Sequence, residues 1–448
     1  MTGNRYSRRQ VMTTGAGLAG LLALGPKGIA QASPSARSAV LRALAQEQIT
    51  LDVFVHLNHP FDNVKPLFEE KYPNIILNML GNNDMAVFRA TLAAQGEGTP
   101  DIFWPEIDVV QELGKSGVLL DVTDIVTKHK DELAPGKMQE CYISSTDKYA
   151  AFPGDIATVG IYYREDLLEQ AGVTIPDEWT WDDYIEAAKE IKGKTGAASF
   201  NLPTTGDFWT SVLWGYFLYQ LGGAVTNADG TEITLDDDKG IVAMEMVKKV
   251  YDADISIDEV PVEENFFAAI AAGQVAACPL PVWFRNFGIE PSVTDEQSGQ
   301  GYWRVTLLPT IDGGVSRTAN FGGAAIASTN YTQHPDEVKL FMEFALGTME
   351  GATACGEWGI LPPYLPYLQS EAWSSVRSPA FGDFAFNDVW TQAVEQYVGT
   401  WYKQPVFGEA MIEVGAAMIP MLNGEVDIPT GMREVGDRIR ELNKRYQG

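Results

Sequence analysis

The chain has 448 residues, enough for two lobes that each bury a core of their own. Its 60 acidic side chains outnumber 32 basic ones for a formal charge of −28, and such a surface repels nucleic acid and anionic membranes. Three cysteines (Cys141, Cys278, Cys355) cannot build a disulfide framework. With no C-x-x-C and only an isolated H-x-x-H at His56 and His59, neither a metal nor a cofactor is expected.

The N-terminal segment sets the compartment. Arg8-Arg9 precede an apolar run from Gly15 to Leu24, and Ala30-Gln31-Ala32 supplies a small-residue cleavage pattern. A basic start, a short apolar core and a small-residue exit read as a signal peptide over 1–32. The arginine pair points to twin-arginine export, cleavage after about Ala32 and a periplasmic mature protein. The run is shorter than the roughly twenty residues of a membrane span. Gly15-Ala16-Gly17-Leu18-Ala19-Gly20 fits the dinucleotide pattern G-x-G-x-x-G, but it lies inside this apolar core instead of between a strand and a helix, so it carries no nucleotide. Residues 33–48 read as a flexible Ala/Ser-rich leader.

From residue 49 strand and helix alternate. Leu51 to Val55, Ile75 to Leu80 and Asp101 to Trp104 read as strands. Phe61 to Tyr72, Met85 to Ala94 and Val109 to Leu113 read as helices between and after them. That spacing predicts a parallel, doubly wound sheet, in which ligands bind beyond the carboxyl ends of the strands. A second α/β region follows. Thr180-Trp181-Asp182-Asp183 forms a capping box ahead of a helix that buries Trp181, Tyr184, Ile185 and Ala188. Further helices are expected over Gly240 to Tyr251 and Glu263 to Ala272, and strands over Val275 to Cys278, Arg304 to Leu308 and Ala324 to Ala327. Helices then dominate: Pro335 to Leu346, Phe384 to Val398, Glu409 to Leu422 and Gly431 to Tyr446.

An ordered series of short motifs adds a family resemblance. Pro100-Asp101-Ile102-Phe103-Trp104 and Ser116-Gly117-Val118-Leu119-Leu120-Asp121 come first. Tyr149 to Asp155, Gly160-Ile161-Tyr162-Tyr163-Arg164-Glu165-Asp166-Leu167, Thr180-Trp181-Asp182-Asp183, Phe267 to Ala276 and Gly322-Gly323 follow. From about Ile49 onward the chain resembles the extracellular solute-binding proteins of sugar ABC importers, the family that includes maltose-binding protein. The resemblance implies two doubly wound α/β lobes joined by a hinge, of the periplasmic-binding-protein type II kind. Lobe 1 would take 49–153 plus about 318–365, and lobe 2 would take 154–317 plus about 366–448. It also implies a monomer that hands its ligand to the permease subunits of an ABC importer, with positions such as Trp104, Asp155, Trp283 and Gly323 lining the cleft.

The residues themselves point to the same class of ligand. A sugar ring has apolar C–H faces and a rim of hydroxyls, and calls for aromatic platforms beside amides, carboxylates or arginine. Trp104 closes the third strand next to Glu106 and Asp108. Trp283 follows Pro279-Leu280-Pro281, with Arg285 two residues on. Trp209 follows a Gly206-Asp207 loop, Trp358 precedes Gly359, and Gly322 accompanies Gly323. Asn58 and His59 follow the first strand, while Asn83 and Asp84 follow the second; such residues also cap helices. Trp181 and the methionines Met244, Met246, Met411 and Met418 read as helix packing. The competing reading is an exported carbohydrate-active enzyme, a glycosidase or lyase, with Glu106 and Asp108 as its carboxylate pair.

Overall fold

The computed structural model describes residues 48–82, 84–94, 96–397 and 403–447. The signal peptide, nearly all of the leader and Asn83 lie outside them. In the first lobe Ile49–Phe54 (β1) pairs in parallel with Ile75–Met79 (β2) on one side and Ile102–Phe103 (β3) on the other. The connections run through the helices Phe61–Lys71 (α1) and Met85–Ala93 (α2), and Ile107–Lys115 (α3) follows β3. The order β2-β1-β3 is that of a doubly wound sheet. Returning segments complete it, since Phe103 bridges Ala327 and Ala325–Ile326 pairs with Phe152–Pro153, both antiparallel. Phe61, Val64 and Phe68 of α1 face this sheet, where Phe341 of the helix Pro335–Gly347 meets them edge-on.

The second lobe is built around Val159–Arg164 (β4), which lies between Ala277–Pro281 (β5) and Trp303–Leu307 (β6), antiparallel to both. Beyond β5 the sheet continues through the parallel bridge of Ala198 with Val275 and the parallel pair Phe200–Asn201 with Ser256–Ile257. One reversed strand in an otherwise parallel sheet has a simple origin: β4 leaves the first lobe as β5 and β6 run back toward it. Trp181–Thr195 (α4) opens on the expected capping box. The Thr180 hydroxyl accepts from Asp183 N at 3.1 Å, and the Asp183 carboxylate accepts from Thr180 N at 2.9 Å.

Two elements carry no periodic signal in the sequence. β4 is buried along nearly its whole length and shows no alternation. Phe208–Gln220 (α5) is apolar on every side and buried from Thr210 to Gln220, so it lacks the polar stripe that marks a surface helix. It forms the centre of the second core with Trp181 and with Phe407–Leu422 (α6). The strand expected over Val275 to Cys278 extends instead to Pro281. Both prolines fit because the even-numbered residues bond to β4: Arg164 N donates to Ala276 O at 2.8 Å and Val282 N to Thr158 O at 2.9 Å. The missing N–H groups of Pro279 and Pro281 therefore fall on the opposite edge of the strand.

The lobes are joined where 154–159 and 319–324 run antiparallel. Val159 N donates to Ala319 O at 3.1 Å and Phe321 N to Ala157 O at 2.9 Å. A third stretch joins them, Ile156 N donating to Leu361 O at 2.9 Å. Among the described residues no helix is long and apolar enough to cross a membrane, and the three cysteines are free and buried.

Candidate functional site

Beside these crossing segments lies a cavity of about 260 Å³ that residues of both lobes line. Phe321 sits at the centre of its aromatic wall. The Trp283 ring lies 5.9 Å from it at 31°, Trp209 5.8 Å at 67° and Tyr216 6.0 Å at 78°. α5 supplies Phe208, Trp209 and Tyr216, and its start is fixed by Asp207, whose carboxylate accepts from Trp209 N at 2.9 Å. Trp283 is held by its indole N–H, which donates to Phe321 O at 3.0 Å. α6 adds Phe407 and Met411.

The polar groups of the cavity come from three places. Glu106 and Asp108 lie just past the carboxyl end of β3, where a doubly wound sheet presents its ligand-binding loops. Asn320 comes from the crossing segment and Lys403 from the chain leading into α6. The Lys403 ammonium donates to Gly322 O; burial pulls its pKa down against the upward pull of Glu140, Glu106 and Asp108. Burial raises the Asp108 carboxyl, the charge of Glu106 adds to that and Lys403 opposes it, leaving Asp108 at about 6.

Of the residues expected at the site from sequence, Glu106, Trp209, Trp283 and Gly322 line this cavity. Asp155 and Gly323 stand behind its wall: Asp155 is buried and accepts from Ala324 N at 2.7 Å. Both glycines have positive φ, +84° and +89°, and a Cβ on Gly323 would stand 3.1 Å from the Lys137 ammonium. Trp104 packs edge-on against His59 at 5.0 Å and Phe61 at 5.3 Å in the first lobe and is not among the residues that line the cavity. Asn58 accepts from the Trp358 indole at 3.2 Å in the same lobe. Asp84 caps α2, accepting from Ala86 N at 2.8 Å. Arg285 is paired with Glu290 at 2.7 Å over the Phe386 ring, which accounts for its charge. Phe321, Asn320, Tyr216 and Lys403 were not singled out from the sequence. The first two adjoin the Gly322-Gly323 pair and were within reach of that signal. Met411, read as helix packing, is also part of the cavity wall.

The model of the bacterial extracellular solute-binding protein family matches residues 37–352. The chain belongs to that family. Among curated relatives of this solute-binding protein, an arabinooligosaccharide-binding protein of Halalkalibacterium halodurans is 26% identical over 306 residues, which cover 66% of this chain and 63% of the relative. A lactose-binding protein of Rhizobium radiobacter is 26% identical over 198 residues, 42% of this chain and 43% of the relative. The chain thus spans less than two thirds of the length of these relatives. Whole-chain likeness comes from solved structures. The binding protein associated with an ABC transporter of B. animalis subsp. lactis, in complex with β-1,6-galactobiose, superposes with a TM-score of 0.72 at 21% identity, covering 88% of this chain and 98% of that one. The sugar-binding protein MalE of Xanthomonas citri gives 0.73 at 17% identity, covering 89% and 98%. These likenesses show the fold, two α/β lobes of the type II kind.

The raised Asp108 carboxyl has a consequence for the solute-binding protein's stability. Between the unfolded value of about 3.9 and the folded value of about 6 the folded state binds more protons, so stability from Asp108 is fullest below about pH 4 and is lost as pH rises through about 6. Asp108→Asn is expected to flatten that fall in the unligated protein. Urea midpoints at pH 4.5 and pH 7 for both proteins test this, and parallel losses would place the titrating group elsewhere.

Proposed function

We propose that this protein captures a carbohydrate between its lobes and delivers it to the permease subunits of an ABC importer. The observation that carries the reading is the cavity itself, an aromatic wall centred on Phe321 facing Glu106, Asp108, Asn320 and Lys403. Aromatic faces match the C–H faces of a sugar ring, and the four polar side chains match its hydroxyls. Relatives named for arabinooligosaccharides and lactose support the same class of ligand. In this reading lobe 1 is 49–153 plus about 318–365, lobe 2 is 154–317 plus about 366–448, and the crossing segments act as the hinge. Residues 1–32 direct twin-arginine export to the periplasm, where the mature protein acts as a monomer.

One preparation tests the whole reading. Full-length protein is produced in a bacterium with a twin-arginine pathway, recovered from the periplasm and sequenced from its N-terminus, which is expected at Ser33. It is then screened by thermal shift against arabinobiose, lactose, β-1,6-galactobiose, monosaccharides, polyols, amino acids and peptides. A sugar that binds the native state raises the melting temperature by mass action, and small-angle scattering with it should show compaction. A shift from amino acids or peptides alone removes the carbohydrate. New reducing ends in the sugar samples would replace capture with hydrolysis by Glu106 and Asp108.

A further inference from the structure

Asn320 lines the cavity yet is only 3% exposed, and its two amide ends have different fates. Its Nδ2 donates to the Tyr397 hydroxyl at 2.6 Å. The Tyr397 hydroxyl in turn donates to Oε1 of Glu140, whose Oε2 accepts from the buried Lys137 ammonium at 2.8 Å. The Asn320 Oδ1 is buried and has no hydrogen-bond partner.

The direction of this chain follows from a proton count. A carboxylate salt-bridged to lysine only accepts, so the single Tyr397 proton is committed to Glu140. The tyrosine oxygen can then only accept from Asn320, and the amide must turn its NH2 group toward it. A flipped amide would set two oxygens against each other. Burial raises the Tyr397 hydroxyl well above its ordinary range, with Glu140 adding to the shift, so the proton stays in place at neutral pH. The network thus fixes which end of Asn320 is left over: a carbonyl, an acceptor that is costly to leave unpaired.

We infer that Asn320 is a specificity residue that accepts a hydrogen bond from one hydroxyl of the bound ligand, with Tyr397 and Glu140 as positioning residues that hold its amide for that purpose. The inference rests on the carbohydrate reading and goes beyond it, since it requires an O–H donor at one ring position. An ether or a bare methylene there leaves the buried carbonyl unpaired, which is how polar sites reject analogues most strongly. Thr158, opposite Asn320 in the crossing ladder, also has a buried hydroxyl oxygen without a partner, but it is not part of the cavity wall.

The test uses whichever of arabinobiose, lactose and β-1,6-galactobiose gives the largest thermal shift, with its set of monodeoxy analogues, titrated by calorimetry. One analogue is expected to bind the wild type at least about 10-fold more weakly than the parent sugar. N320A should lose a similar factor for the parent and no longer distinguish that analogue. Y397F keeps the ring and changes no residue of the cavity wall, so it tests the orientation even where N320A does not fold; it should narrow the same discrimination while leaving that at other ring positions unchanged. T158V should behave as wild type. Full discrimination in N320A overturns the inference, as does its loss in T158V, which would mean a water shared by the two side chains. Absence of any thermal shift would overturn the carbohydrate reading itself, before any variant is made, and the inference with it.

Discussion

Replacing Lys137 with methionine is expected to cost about 3–5 kcal/mol of folding stability, the range for removing one partner of a buried ion pair. Lys137 is fully buried, and its ammonium bonds to Glu140, itself 7% exposed, at 2.8 Å. Burial pulls the lysine's pKa down, but Glu140, Cys141 and Asp155 pull it up further, so the charged form is the one the fold keeps. Asp155 depends on the same cation: burial raises its carboxyl and Lys137 is the first group that opposes this. In the variant Glu140 and Asp155 lose that counter-charge, and Lys403 is the cation that remains near Glu140. The Asp155 carboxyl, already raised by burial, rises further without Lys137, so the folded variant binds more protons than the unfolded chain and gains stability as pH falls. Urea unfolding should therefore show a larger deficit at pH 7 than at pH 5, and Glu140→Gln added to Lys137→Met should recover part of it. A deficit below about 1 kcal/mol at both pH values would show that the pair is not an energetic keystone of the hinge.

The same residues show what the sequence could and could not disclose. Amphipathic elements were legible: α1, α4 and the C-terminal helices repeat apolar residues at helical spacing, and the Thr180–Asp183 capping box names the start of α4. α5 and β4 were not, because burial on all sides erases the period that pattern reading depends on. The site followed the same division. Glu106 and Trp283 could be anticipated because each follows the carboxyl end of an anticipated strand, where a doubly wound sheet gathers its ligand residues. Lys403 could not: it meets Gly322 O only through the packing of α6 onto α5, which brings together positions 81 residues apart. Asp155 and Gly323, expected to line the cleft, lie on the crossing segments behind the cavity wall, near Lys137. Trp104 satisfied the same local rule as Trp283, yet its ring packs against His59 and Phe61. The two tryptophans differ in their tertiary neighbours, which no local window contains.

That contrast makes Trp283→Ala the second large effect, expected to weaken binding of the proposed sugar ligand by about 2 kcal/mol or more, roughly 30-fold in Kd. Trp283 is partly buried, and its indole N–H is already spent on Phe321 O at 3.0 Å, so the ring offers the ligand its face and no hydrogen bond. Its neighbours Phe284, Phe287 and Phe321 lie 5.9–6.1 Å away at angles from 31° to 77°, which leaves the ring clamped before any ligand arrives. A platform held in this way loses little conformational entropy on binding, which is why a single aromatic contributes so much. Trp283→Phe keeps a face but not the hydrogen bond to Phe321, and should fall between alanine and wild type. Trp104→Ala, by contrast, should lower stability by removing contacts with His59 and Phe61 and leave Kd within about 2-fold, because its ring is not part of the cavity wall. Calorimetry on the three folded variants with one sugar separates the outcomes. Unchanged affinity in Trp283→Ala would make that ring a structural prop, and a large loss in Trp104→Ala would mean that the ligand reaches beyond the cavity into the first lobe.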